Sequence, residues 1–451
     1  MSGSAAAATT ATGGAGALTA PAASPPTAAW RPLLDGALAE RAHETVLAVA
    51  EALRDPAAMP AEAATPGLSR GHAGRAVLFA YLAEALGEPA WGDAAGDALD
   101  AAVEALGEQT VGPGLFGGFA GVGWAVEHLA GRLFPAAEAA AATEEIGTTL
   151  AGLLAAGWPG PYDLIDGLAG FALFALEGLP RPEPRRLLEQ VLAEIGRRAV
   201  SGVGGRTWFT PPELVPARQR ELAPAGYHNL GLAHGVPGVI AVLARAVESG
   251  VGGEAAHADL SAAVAWLLAR EQPPSAGSCY ANWLPAGDAA APPETTRIAW
   301  CYGDLGVAAA LSLAAQAAGR DDWAAAALRV ARRAAARPAE GSGVLDAGLC
   351  HGAAGAAHLF ARLAAASGDA ALAQAARRWY AAALDLRRAG EGDAGYLSWE
   401  PARGGWTADR GFLAGAAGIA LALAAAIAPA EPGWDRMLGI SSAVPEEAGS
   451  C

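Results

Sequence analysis

The sequence predicts an all-α fold, an α/α toroid (a double α-barrel) of seven helical hairpins, and three observations point to it. The spacing Gly-x-x-Gly recurs seven times, at Gly71/Gly74, Gly118/Gly121, Gly167/Gly170, Gly235/Gly238, Gly303/Gly306, Gly352/Gly355 and Gly415/Gly418. Most copies open an Ala/Leu-rich run, such as Ala76 to Leu86, with few β-branched residues and no internal proline, which reads as a helix. Between copies lies a second helical stretch with a polar face, such as Arg185 to Arg198 or Asp321 to Arg337.

Successive copies are 47 to 68 residues apart, the length of a helix pair with its loops. Seven such pairs can close into a ring. The helices after the glycines would then form its inner wall, where small side chains allow close packing, and the charged ones its outer wall. Each glycine pair would open an inner helix, a role that needs only backbone freedom and close packing. The expected organisation is an Ala/Thr/Pro-rich disordered tail over residues 1–29, one toroid domain over 30–430, and a poorly ordered C-terminal tail over 431–451.

Bulk properties narrow the function. A formal charge of −16 disfavours binding to nucleic acid, where phosphate contacts need clustered Lys and Arg. Apolar residues make up 53% of the chain, yet the longest apolar stretch, Gly411 to Ala428, is mostly alanine and glycine, so no transmembrane segment is expected. The first 27 residues carry no Lys or Arg and therefore lack the basic start of a secretory signal. Four cysteines, Cys279, Cys301, Cys350 and Cys451, are too few and too spread for a disulfide framework, which fits a reducing cytoplasm.

Reactive side chains gather at one repeat position. The two residues before the first glycine are Ala233 and His234 in the fourth copy, Cys301 and Tyr302 in the fifth, Cys350 and His351 in the sixth. Superposed repeats would bring them to one rim, at the N-termini of the inner helices, whose dipoles favour negative charge. Cys301, Cys350 and His351 offer the two-thiolate, one-imidazole set of a catalytic zinc with an open fourth position. Taken singly, each residue reads first as a small buried hydrophobe or a satisfied polar group, and the spacing matches no standard zinc-finger pattern; the shared repeat position is what favours a metal site.

The strings Trp300-Cys301-Tyr302-Gly303, Cys350-His351-Gly352 and Asn229-Leu230-Gly231-Leu232-Ala233-His234-Gly235, with Tyr162-Asp163 ahead of Gly167, resemble the signature motifs of the lanthionine synthetase C-like family, in that family's order. The resemblance runs from about Leu68 to Ala428. It implies a seven-fold helical toroid, one Zn2+ per chain on Cys301, Cys350 and His351, and a catalytic surround of His234, Asp163, Arg297 and Tyr302. It also implies a cyclase adding peptide cysteine thiols to dehydroalanine or dehydrobutyrine to form lanthionine or methyllanthionine. The substrate would be a dehydrated precursor peptide. No dehydratase-like or kinase-like region precedes Leu68, so a separate dehydratase is the expected partner, and any membrane association would come through that biosynthetic complex.

The chemistry is consistent with these residues. A free thiol, with a pKa of about 8.5, is mostly protonated near neutrality, and metal coordination removes that proton. His234 suits proton exchange because a histidine titrates near pH 6.5. Asp163 could hold its tautomer, and Arg297 could stabilise enolate charge or orient Asp163. Tyr302 could donate a hydrogen bond near the sulfurs. Plainer readings stand beside these: helix capping for Asp163, a surface ion pair for Arg297, core packing for Tyr302, and structural roles for the other histidines, with His228 the first exception to consider. Three other functions use similar parts. A zinc-bearing scaffold binding a thiol or peptide would need the same ligands; a prenyltransferase-type thiol alkyltransferase would add a carboxylate ligand; a toroid glycosidase would leave the Cys/Cys/His set unexplained.

Overall fold

The computed structural model describes residues 30–54, 64–286, 293–400 and 403–442. In chain order its helices are α1 (Gly36–Arg54), α2 (His72–Leu86), α3 (Pro89–Glu108), α4 (Phe119–Leu129), α5 (Ala136–Ala155), α6 (Leu168–Glu177), α7 (Pro182–Arg198), the one-turn α8 (Ala217–Arg220), α9 (Val236–Glu248), α10 (Gly253–Leu268), α11 (Asp304–Ala318), α12 (Asp321–Ala335), α13 (Ala353–Ser367), α14 (Ala370–Asp385) and α15 (Ala416–Ile427). Three two-stranded antiparallel ribbons decorate the loops: β1 (Val200–Gly202) with β2 (Gly205–Thr207), β3 (Tyr227–Asn229) with β4 (Trp283–Pro285), and β5 (Ser398–Glu400) with β6 (Gly405–Thr407).

Each glycine pair opens an inner helix as the sequence predicts, and α2, α4, α6, α9, α11, α13 and α15 pack side by side until α15 meets α2. These helices are buried on nearly all faces; every residue from Val236 to Ala246 of α9 is buried. Their outer partners are amphipathic. In α12 the buried set is Trp323, Ala326, Ala327, Val330, Ala331 and Ala334, one stripe at helical spacing. The seventh hairpin is not sequential: α15 takes its outer partner from the other end of the described chain, α1. There Trp30 Nε1 donates to Ala425 O at 2.7 Å, and Leu33 and Leu34 N–H donate to Ala426 O.

The loops before the inner helices share one shape, fixed by close backbone contact. A Cβ at Gly355 would lie 1.8 Å from Leu349 O, and at the second glycine of every other pair it would lie 1.8 to 2.6 Å from the carbonyl oxygen six residues back. Gly303 is a special case, at φ +93°. The loops also bond to one another around the ring. Ser69 N–H donates to Phe116 O (2.8 Å), Phe116 to Ile165 (3.3 Å), Leu164 to Ala233 (3.0 Å), Ala233 to Cys301 (3.3 Å), Cys301 to Cys350 (3.3 Å), Cys350 to Leu413 (2.7 Å) and Phe412 to Ser69 (2.7 Å). The circuit runs through the residue two before each first glycine, and it closes.

One expectation is corrected. The sequence places residues 431–451 in a poorly ordered tail, but residues 431–442 enter the ring at the end opposite these loops. Trp434, Asp435, Met437 and Leu438 are almost wholly buried there. Trp300 Nε1 donates to Leu438 O (2.9 Å), and Trp434 stacks on His358. Asp435 accepts from His358 Nε2 (2.7 Å) and Arg362 Nε (2.6 Å); Arg436 donates to Glu177 (2.5 Å), which also holds His128 Nδ1 (2.8 Å). A residue-by-residue apolar pattern could not reveal this segment, because its anchors are single side chains meeting distant helices. The expected tail at 1–29 and the remainder of the 431–451 tail, residues 443–451 with Cys451, lie outside the described residues.

Two predictions follow from the buried plug. Trp434→Ala should cost about 3–5 kcal/mol in denaturant unfolding, the range for truncating a buried tryptophan. Burial opposes ionisation of Glu177 and Asp435, but Arg436 and Arg362 outweigh it, holding Glu177 down to about 2 and Asp435 below the usual carboxylate range. Burial likewise holds His128 and His358 below the usual histidine value. In each case the unfolded chain binds the extra protons first. Stability should therefore decline as pH drops below about 6.5 and steeply below about 4.5. Melting temperature followed from pH 7 to 3 checks this, and a flat profile would contradict the assignment.

Candidate active site

The hydrogen-bonded circuit explains why residues far apart in sequence meet. Cys301 and Cys350 occupy the same position in adjacent repeats and are joined by the Cys301 N–H to Cys350 O bond, so their side chains leave the rim together. With His351 they form a cluster whose ligand atoms, two Sγ and one imidazole nitrogen, lie within 4.8 Å of one another. Among the described residues it is the group of His, Cys and carboxylate side chains found close enough together to hold a metal ion.

Cys301 is 8% exposed, and Cys350 and His351 are half-buried. The hydrogen bond from Cys350 draws the Cys301 thiol well below its ordinary pKa; burial opposes this, and the bond and charge of His351 and the charge of Arg297 add to it. The same bond, with burial, raises Cys350. For His351 burial works against the cation, but the Cys301 bond and charge and the Asp346 charge outweigh it and raise its pKa. The cluster thus stores protons that a divalent metal would release. One buried atom, His351 Nε2, has no hydrogen-bond partner; its near carboxylate is Asp346, at 3.8 Å.

His234 stands beside the cluster. The Leu164 N–H to Ala233 O link places Asp163 next to it, and His234 Nδ1 donates to Asp163 Oδ2 at 2.6 Å. Asp163 Oδ1 accepts the Asp166 N–H at 2.9 Å, a turn bond that lies before α6, whose own N-cap, Gly167, receives no side-chain bond. Burial lowers the His234 pKa, but the Asp163 bond and charge, with Cys301 and Asp166, more than reverse it. Its side chain is 39% exposed, which leaves Nε2 as the ring nitrogen available to a substrate.

Two expected contacts differ. Arg297 is exposed and makes no hydrogen bond to Asp163, whose oxygens are taken by His234 and Asp166; its charge instead acts on both thiols. Tyr302 does not bond a sulfur. Its hydroxyl accepts from Asn229 Nδ2 (3.1 Å), and its ring lies 6.2 Å from that of His234 and 6.4 Å from that of Trp283. The tyrosine points along the rim because Gly231 leaves room for its ring: a Cβ there would come within 2.7 Å of it. His228 lies on β3 with Nδ1 3.1 Å from Trp208 O and has no contact with the cluster, and Cys279 is buried with its pKa pushed up to about 12 by burial.

From sequence, no role falls to Asn229, which bonds Tyr302, or to Asp346, which lies 3.8 Å from His351 Nε2. Both sit six residues before a first glycine, as does Asp409, and all three cap the N–H two residues on. That repeat position was the available signal, but a turn-forming role would have explained it fully.

Fold and site together define an α/α toroid with a Cys/Cys/His cluster and a histidine–aspartate pair at one rim. The family model described as lanthionine synthetase C-like protein matches residues 62–438, and the chain belongs to that family. Among solved structures it is similar to nisin cyclase, with a TM-score of 0.71 at 18% identity, covering 89% of this chain and 97% of that one. No curated protein sequence matches it. No helix among the described residues is long and apolar enough to cross a membrane.

Replacing Asp163 with Asn should lower the His234 pKa, since the charge that overcomes burial is gone. Histidine NMR resonances followed across pH check this; an unmoved value would show that Asp163 does not tune the ring.

Proposed function

We propose that the protein is a zinc-dependent lanthipeptide cyclase that closes thioether rings in a dehydrated precursor peptide. The observation that carries this reading is the Cys301/Cys350/His351 cluster facing the Asp163–His234 pair in a chain of the lanthionine synthetase C-like family. The donor set suits zinc: two soft sulfurs and an imidazole, with three protein ligands leaving a fourth position for substrate. The partnerless, buried His351 Nε2 fits a ring whose other nitrogen is committed to a metal. Zinc bound there would lower the pKa of a peptide cysteine and present it as a thiolate.

The chain's own residues do the rest. Addition forms an S–Cβ bond as the Cα=Cβ π-bond of the dehydro residue breaks, and the resulting enolate takes a proton at Cα; no oxidant or reductant is needed. His234, bonded to Asp163 through Nδ1, has Nε2 free to take the thiol proton or deliver one to Cα, and the Asp163 carboxylate stabilises the imidazolium. Arg297, exposed and acting on the thiol pair, supplies positive charge where negative charge develops. Tyr302 and Asn229 shape the wall beside His234. A separate dehydratase would supply the substrate.

Elemental mass spectrometry should find about one zinc per wild-type chain, and none in Cys301→Ala or Cys350→Ala. Incubation with a dehydrated, cysteine-containing peptide should consume free thiols above the spontaneous rate, and His234→Asn should slow this by about 100-fold or more. Zinc retained without thiol loss would favour a thiol- or peptide-binding scaffold. A folded, metal-free wild type would remove the basis of the mechanism.

A further inference from the structure

Asp346 is neither a member of the Cys301/Cys350/His351 cluster nor a partner of His234, and it is 2% exposed. Its two oxygens do different things. Oδ1 accepts the Gly348 N–H at 3.0 Å, the local turn that Asn229 and Asp409 make at the same repeat position. Oδ2 accepts the Trp399 N–H of β5 at 3.0 Å and lies 3.8 Å from Nε2 of His351, the buried imidazole nitrogen with no partner. Turn formation explains Oδ1 and nothing else. In the equivalent position Asn229 makes the same turn without a negative charge, so the charge at 346 is not needed for the loop.

We propose that Asp346 is a positioning residue for the metal ligand His351, its Oδ2 receiving the Nε2–H while Nδ1 faces the two cysteine sulfurs. This rests on the zinc reading of the cluster. A carboxylate behind a ligating histidine fixes the ring's tautomer and orientation and raises its basicity. Trp399 N–H holds Oδ2 from the far side, so the β5–β6 ribbon, whose Trp399 and Trp406 rings meet edge to face at 5.5 Å, is tied through one carboxylate to the metal ligand.

The test compares wild type, Asp346→Asn and, as a turn control, Asp409→Asn. Zinc affinity is read by competition with a chromophoric chelator, the ligand field from the absorption of the cobalt(II)-substituted protein, and folding from the melting temperature of the metal-free forms. Asp346→Asn should weaken zinc about 10- to 100-fold and shift the cobalt(II) spectrum, with only a small fall in the metal-free melting temperature from the lost Trp399 N–H acceptor, while Asp409→Asn should leave affinity and spectrum as in wild type. Equal affinity in Asp346→Asn and wild type would overturn the proposal. So would an equal loss in Asp409→Asn, or a metal-free Asp346→Asn that melts much earlier, since either would make the effect one of loop stability. A wild type that takes up no zinc would overturn the metal reading itself and this inference with it.

Discussion

The closed circuit of backbone hydrogen bonds that joins the seven loops at one rim is the constraint on which the rest depends. Each link runs from one repeat to the next and engages the residue two before a glycine pair, or its neighbour. Buried backbone groups must be paired, and a loop between two nearly enclosed helices has few partners besides the next loop. The circuit therefore fixes the relative height of all seven inner helices. It also dictates that the side chains at this position leave the rim side by side, so that chemistry requires only a change of residue type at sites the backbone has already registered.

The ring is loaded unevenly. Adjacent repeats supply Cys301 and Cys350, and the next residue along supplies His351; two further repeats supply Asp163 and His234. The remaining repeats keep Ser69, Phe116 and Leu413 at the corresponding place, residues that offer the circuit a backbone and no metal ligand. Alanine and glycine dominate the inner helices because the helices approach closely, and the second glycine of each pair is forced by a carbonyl oxygen where any Cβ would sit. A symmetric scaffold thus carries an asymmetric site, in which the neighbours that the ring brings together, Cys350 beside Cys301 and Asp163 beside His234, shift those two groups against the effect of burial.

Two devices close what the repeats alone leave open. Helix α1 covers α15, completing the outer wall across the ends of the described chain, and residues 431–442 fill the ring opposite the rim. The plug is held by buried ions whose partners come from several inner helices: Glu177 of α6, Arg245 of α9, and His358 and Arg362 of α13. Removing one partner from such a network leaves an uncompensated buried charge, which makes the plug a specific fit to this ring.

Much of this was written in the sequence. The glycine period, the Ala/Leu-rich runs and the amphipathic stretches named the inner and outer helices, and the pairs Ala233-His234, Cys301-Tyr302 and Cys350-His351 just before the glycines named the rim, because local propensity and repeat spacing act through neighbours in the chain. The sequence could not say that α1 pairs with α15, that Trp434 and Asp435 are core residues, that Arg297 acts on the thiols and makes no bond to Asp163, or that Tyr302 bonds Asn229. Nor could it separate the two oxygens of Asp163 or of Asp346. Those outcomes depend on which groups lie within about 3 Å across elements distant in sequence, where hydrogen bonds gain or lose their strength, and only the closed ring sets those distances.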